Sequence, residues 1–211
     1  MIIAIDGPTA SGKGTLAKRL AEHYRLPRLD TGALYRAVAL AVLDAKADPG
    51  EEAAALKAAK ALDLCAIDEG RIRSGAVGTA ASVVAAMPNV RAALLEAQRA
   101  FAAQPGGAVL DGRDIATVVC PNADVKLFVT ASLAERVRRR HIELTGRGES
   151  VSLNDLTAAI AARDARDASR PIAPLRQVAD AHLLDTTALS IEDAVLAACR
   201  VIDAALIRPK S

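Results

Sequence analysis

The sequence predicts an α/β fold: a central parallel sheet of five strands wrapped by helices. Two observations predict it. The apolar run Ile2-Ile3-Ala4-Ile5-Asp6 passes directly into GPTASGKGT, Gly7 to Thr15, so a strand stops at a glycine-rich turn and a helix starts at once. Beyond it, short apolar runs alternate with longer helical ones, the pattern of a parallel sheet whose crossovers are helices. The strands are expected at 2–6, 28–30, 108–111, 125–130 and 182–185, and the helices at 13–24, 31–45, 51–62, 90–103, 133–143, 153–168 and 191–206.

The first junction carries chemistry as well as topology. Gly7, Pro8, Thr9, Ala10, Ser11, Gly12 and Lys13 read G-x-x-x-x-G-K and are followed by Gly14 and Thr15, a form of the phosphate-cradling loop. A loop with little side chain lets several backbone N–H groups converge on one anion, and the helix behind it adds its positive dipole end. Lys13 is placed to reach the outer phosphates as a point charge. Gly14 stands where a magnesium-binding Ser or Thr is common, and the hydroxyl comes one place later at Thr15. The expectation is therefore no direct protein ligand for Mg²⁺. A hydrated ion is held by phosphate oxygens, with Thr15 and Asp111 nearby, because Mg²⁺ gives up water reluctantly.

Composition narrows the field. A chain of 211 residues builds one domain, or one core with insertions. A formal net charge of +2 gives no broad basic field for nucleic acid. Two Tyr, two Phe and no Trp give no stacking platform for single strands. Cys65, Cys120 and Cys199 lie outside any C-x-x-C spacing and read as core fillers in a reducing compartment, and His23, His141 and His182 are scattered without ligand spacing. The first apolar run is too short for a signal peptide and no run reaches membrane-spanning length. A soluble cytoplasmic monomer is expected, with neither nucleic acid nor membrane as partner.

Segment 46–82 interrupts the alternation and reads as an insertion made of a helix and a small hairpin, with strands at 64–67 and 71–74 around the turn Asp68-Glu69-Gly70. Segment 145–150, TGRGES, reads either as a phosphate-facing lid or as a plain surface loop.

Four further clusters suggest a second anion site. In LDTGALYR, Asp30 or Thr31 caps a helix whose second turn carries Tyr35 and Arg36; capping explains the first pair and a solvated side chain explains Arg36, while the free N-terminus, a hydroxyl and the arginine together suit a second phosphate site. In LDGRD, an apolar strand ends at Asp111, placed to orient magnesium waters, and Arg113 and Asp114 then project from the sheet edge where ligands bind in open α/β folds. An ordinary strand-end turn with a surface ion pair is the other reading. On the helix bearing Arg136, Arg138, Arg139 and Arg140, helical spacing puts Arg136, Arg139 and Arg140 on one face; they gather either around a shared anion or against Glu135 and Glu143. Arg163, Asp167 and Arg170 form a stripe before Pro171, suited to a sugar hydroxyl and a phosphate, or to helix ion pairs alone.

Taken together, GPTASGKGT, LDTGALYR, AASVVAAMPNVR, LDGRD and RDARDASRP resemble bacterial cytidylate kinase, a nucleoside monophosphate kinase of the phosphate-loop (P-loop) kinase fold. The likeness runs in order through nearly the whole chain. The resemblance implies a three-layer core at 1–45 and 83–211, a lid at about 144–170, and a shortened inserted nucleotide-binding subdomain at 46–82, where larger bacterial members carry a three-stranded one. It implies transfer of the γ-phosphate of ATP to CMP and dCMP with Mg²⁺. It implies that Gly7 to Thr15 hold ATP and that Arg36, Arg113 and Arg170 grip the acceptor phosphate. Arg163 and Asp167 would read the ribose, while Ser82, Arg91 and Asp114 would read cytosine. Lys13, Asp111, Arg113, Arg139 and Arg140 would form the catalytic group, with Thr31 and Tyr35 lining the acceptor site. Another nucleoside monophosphate kinase, of UMP/CMP or adenylate type, and a nucleotide-binding regulator without turnover are the alternatives.

Overall fold

A computed structural model describes residues 1–63 and 66–207. The chain divides into two compact units, one of Met1–Leu29 with Phe101–Ser211 and the other of Asp30–Ala100. The expected α/β class is what the structure has. Strands β1 (Ile2–Asp6), β2 (Arg28–Asp30), β3 (Ala108–Gly112), β4 (Val125–Thr130) and β5 (His182–Asp185) form one five-stranded sheet in the order β2-β3-β1-β4-β5. The β1–β3, β1–β4 and β4–β5 pairings are parallel.

In the first unit the central strands β1 and β3 are buried on both faces, which is why they read as nearly continuous apolar runs, while β4 buries alternate residues. Ile3 and Ile5 point to one face. There they pack with Leu16, Ala17 and Leu20 of helix α1 (Lys13–Tyr24) and with Ala198, Cys199 and Ile202 of the C-terminal helix, Ile191–Ile207. Ala4 and Leu110, on the other face, are equally inaccessible to water. Two more helices, Leu133–Thr145 and Leu153–Ser169, pack through Val137, Leu144, Leu156 and Ile160. Cys120 and Cys199 are buried thiols, as expected of core fillers.

The second unit is helical. It contains α2 (Thr31–Asp44), α3 (Glu52–Lys60), α4 (Gly75–Val84) and most of α5 (Pro88–Ala102). The last three helices of the chain are then α6 (Leu133–Thr145), α7 (Leu153–Ser169) and α8 (Ile191–Ile207). The expected hairpin is a correction. Instead of a strand, Arg71–Arg73 is a single 3₁₀ turn with Ile72 fully buried against Ala33 and Ala37. Asp68 starts that turn by accepting the amide N–H groups of Gly70 and Arg71 at 2.9 and 3.1 Å. Ser74 then caps α4 through the Val77 N–H at 3.3 Å, opening a helix that its two glycines, Gly75 and Gly78, had masked. The other expected strand falls partly on Leu64 and Cys65, outside the described residues. Among the described residues no single helix is long and apolar enough to cross a membrane.

Candidate functional site

The glycine-rich loop leaves β1 at Asp6 and enters α1 at Lys13. Its glycines are there for close approach. A Cβ on Gly7 would collide with the Val129 carbonyl, and Gly12, the N-cap of α1, is left-handed at φ +87°. Ala10 is held left-handed too, at φ +59°, so the loop is fixed by its surroundings rather than by local preference. Lys13 Nζ donates back to the Pro8 carbonyl at 3.1 Å, which keeps the ammonium over the loop. Ser11 is fully buried, and its Oγ has no hydrogen-bond partner among the described residues.

Asp111, next to last in β3, is 3 % exposed and accepts both Nε and Nη2 of Arg28, at 3.0 and 2.8 Å. A Cβ added to Gly14 would lie 3.7 Å from Asp111 Oδ2, so this carboxylate sits beside the first turn of α1. Two residues on, Arg113 donates Nε to Asp167 Oδ2 at 2.8 Å and Nη2 to Thr9 Oγ1 at 2.7 Å. The arginine of LDGRD thus bridges the phosphate loop and α7. Asp167 is buried, and burial opposes its charge, but Arg113, Arg163 and Arg170 together hold its carboxyl below the usual range. Arg170 does not continue the helical stripe. It is the C-cap of α7, with extended ψ 134°, and its Nη2 donates to Ala173 O at 2.8 Å.

The arginines of α6 separate by partner. Arg136 is buried and committed to Ala131 O, Thr9 O and Asp164 Oδ2 at 3.0, 3.3 and 2.6 Å. Arg138 is exposed and pairs with Glu135. Arg139 also takes Glu135, at 2.8 Å, but its terminal nitrogens turn to Thr186, and Nη1 lies 3.3 Å from where a Cβ on Gly12 would be. Arg140 pairs with Glu143 at 2.7 Å, a carboxylate it shares with Arg147. Both acidic partners weighed from the sequence are therefore in use, and two members of the shared face touch the glycine-rich loop, Arg136 at Thr9 O and Arg139 beside Gly12.

In the second unit Asp30, not Thr31, is the cap of α2: Oδ1 accepts the Ala33 N–H at 3.1 Å and Oδ2 accepts Arg36 Nη2 at 2.7 Å. Arg36 Nε is buried with no hydrogen-bond partner among the described residues, a donor facing inward. Thr31, Tyr35, Ser82 and Arg91 are all buried. The Arg91 guanidinium sits over the Tyr35 ring, 5.5 Å from its centroid, and donates to Ala85 O at 3.1 Å.

The family profile described as cytidylate kinase matches residues 3–204. Similar chains named cytidylate kinase include those of Methylobacterium sp. (strain 4-46), 65% identical with 86% of each chain covered, and Nitrobacter winogradskyi, 56% identical over 99% of this chain and 98% of that one. A third, from Xanthobacter autotrophicus, is 58% identical over 97% and 98%. The chain belongs to the cytidylate kinase family. Among solved structures, an uncharacterised protein from Eubacterium ventriosum aligns with a TM-score of 0.59 at 15% identity, covering 97% of this chain and 99% of that one, a likeness of fold alone.

Sequence reading passed over three residues next to the loop of this family member. Arg28, a strand residue, pairs with Asp111; Thr186 receives Arg139; and Asp6 anchors the turn after β3. The buried Asp6 carboxylate accepts the amide N–H groups of Ile115 and Ala116, at 2.8 Å each, and so fixes the wide helical turn Ile115–Val119 behind Arg113 and Asp114. Its one visible signal was an acid closing a strand otherwise apolar throughout.

Burial pushes the Asp6 carboxyl up to about 6. The two amide hydrogen bonds pull it back down, Asp114 adds to the rise and Arg113 opposes it. A carboxyl raised in the folded state binds its proton more tightly there than in the unfolded chain. Its stabilising contribution is full below the unfolded value near 3.8 and disappears as pH rises through about 6. Wild type is therefore expected to lose roughly 2 kcal/mol relative to Asp6→Asn between pH 4 and 7.5. Urea melts of both proteins at those two pH values measure it, and parallel stabilities would refute the assignment.

Proposed function

We propose that this chain transfers the γ-phosphoryl group of ATP to CMP and dCMP, giving ADP and the nucleoside diphosphates, and that it works in the cytoplasm. The observation that carries this is Arg113. Its guanidinium is tied at once to the glycine-rich loop through Thr9 and to the Asp167 carboxylate, which supports a reading in which it bridges donor and acceptor phosphates.

The chemistry asks for positioning and charge rather than a base. The acceptor phosphate loses its second proton near pH 6, so an ionised oxygen is already available for in-line attack. The loop amides and Lys13 hold the ATP phosphates, and Arg113 and Arg139 face the group in flight. Arg113 exchanges its Asp167 and Thr9 contacts for acceptor phosphate oxygens, which leaves Asp167, beside Arg163, to accept from the ribose. Arg170 and, in the second unit, Arg36 are assigned to the acceptor phosphate. Asp114 is assigned to the exocyclic amine of cytosine, and Ser82 and Arg91 to its acceptor edge. Thr31 and Tyr35 line the acceptor side, Arg140 joins Arg139 over the transferred group, and Arg147 belongs to the lid at about 144–170. Residues 46–82 are the shortened insertion in this reading.

Mg²⁺ would neutralise charge on the transferring phosphates. The donors present fit a hydrated ion. Gly14 offers no hydroxyl, Thr15 is exposed, Asp111 is already paired with Arg28, and no cluster of three His, Cys, Asp or Glu side chains occurs among the described residues. Asp111, with Arg28 fixing its rotamer, is left to orient water beside the first turn of α1.

The test is a panel of CMP, dCMP, UMP, AMP and TMP with ATP, following ADP release. Turnover with CMP and dCMP is expected to exceed the others by about 10²-fold or more. Equal rates with UMP or AMP would replace this reading by another monophosphate kinase, and ATP binding without ADP release on any acceptor by a regulator.

A further inference from the structure

We infer that Thr186 is a positioning residue for phosphoryl transfer, its hydroxyl tying the phosphate loop to the arginine that faces it. This rests on the reading of Arg139 as a contact to the transferred group. Thr186 follows directly on β5 and is 4% exposed. Arg139 Nη1 donates to Thr186 Oγ1 at 3.0 Å and Nη2 to Thr186 O at 2.7 Å, so one residue grips both terminal nitrogens. The same hydroxyl lies 2.9 Å from Ser11 O and 3.0 Å from Thr130 O. Thr130 O also accepts the Thr186 amide at 2.8 Å, whereas Ser11 O is the nearer of the two carbonyls to the hydroxyl, and its single proton is assigned to Ser11 O.

The hydroxyl therefore receives from a guanidinium and donates to the main chain of the phosphate loop. A cationic donor polarises the O–H and strengthens the bond it makes onward. Glu135 completes the hold on Arg139 through Nε at 2.8 Å. Of the five N–H groups of a guanidinium, these contacts use three among the described residues, leaving one N–H on each terminal nitrogen. The one on Nη1 is next to Gly12, at the N-terminus of α1, with Nη1 3.3 Å from where a Cβ on Gly12 would be. The arginine is thereby ordered before any nucleotide arrives, and its side-chain freedom is not lost at the moment of transfer. The loop and its cation also become one mechanical unit: a shift of Ser11 is felt at Arg139 through a single oxygen.

Thr186→Val keeps the shape and removes the hydroxyl; Thr186→Ser keeps the hydroxyl. The full chain carrying each, with Arg139→Ala and the double variant Thr186→Val/Arg139→Ala, is compared for kcat and for KM of CMP and ATP, and melting curves report folding. Thr186→Val is expected to lower kcat about 30-fold with KM for CMP within about twofold, and Thr186→Ser to stay within about threefold of wild type. The double variant should be no more than about twofold slower than Arg139→Ala alone, because the hydroxyl acts through that arginine. If Thr186→Val does not fold, Thr186→Ala carries the same expectation. Wild-type kcat in the hydroxyl-free variant overturns the inference, as does a Thr186→Val loss that multiplies with that of Arg139→Ala. Undiminished kcat in Arg139→Ala would instead remove the reading of Arg139 on which the inference stands.

Discussion

Lys13→Met is expected to lower kcat about 10³-fold, some 4 kcal/mol of transition-state stabilisation, with the melting temperature unchanged. Lys13 is the first residue of α1, and its ammonium donates at 3.1 Å to Pro8 O, a carbonyl on the loop's own backbone. Methionine keeps the unbranched stem and a comparable helix propensity, so little that holds the fold is lost. What disappears is a point charge at the helix end, where the loop amides supply only partial charges. During transfer, negative charge spreads over the equatorial oxygens of the moving group, and a full cation there is worth more than in the ground state. The loss should therefore fall on kcat, with KM for CMP moving little. A coupled ADP-release assay beside a thermal melt settles it: turnover within about fivefold of wild type would take Lys13 out of its role.

The same loop shows how far a sequence can be read. All five strands and the helices α1, α2, α3, α5, α6, α7 and α8 were legible, because a short apolar run between turns and a longer helix with one apolar stripe leave different patterns. Helix α4 was not legible, since Gly75 and Gly78 spoil its propensity and its start signal is only Ser74. The strand–turn–helix course of GPTASGKGT was legible because its residues are neighbours in sequence. Contacts that topology makes were not. Thr186 and Ser11 are 175 residues apart, and Arg28 and Asp111 are 83 apart. Strand order β2-β3-β1-β4-β5 puts the ends of β5 and β1 near one another across β4, and nothing in the run LLDTT announces that. The four arginines of α6 make the same point. Helical spacing gives each a direction, but only the partners (Asp164, Glu135, Thr186, Glu143) tell a packed arginine from one that faces the loop.

Asp114→Ala is expected to cut kcat/KM for CMP by about 10²-fold to 10³-fold while KM for ATP stays within about twofold. Asp114 is 5% exposed and stands just before the turn Ile115–Val119, which Asp6 fixes through two main-chain bonds, so its direction does not depend on the nucleotide. A buried carboxylate only accepts. In the proposed assignment cytosine would present its exocyclic amine to it, whereas uracil would present O4, setting acceptor against acceptor, and mispaired buried polar groups cost more than a poor steric fit. Alanine removes both the attraction and the rejection. Asparagine separates them: its amide can accept from the amine or, turned over, donate to O4. Asp114→Asn should therefore keep more CMP activity than alanine and narrow the preference for CMP over UMP about 10²-fold. The measurement is kcat/KM for CMP and UMP and KM for ATP in the three proteins. If both variants weaken ATP as much as CMP, Asp114 supports the fold of the phosphate loop through Asp6, whose charge it faces, and does not read the base.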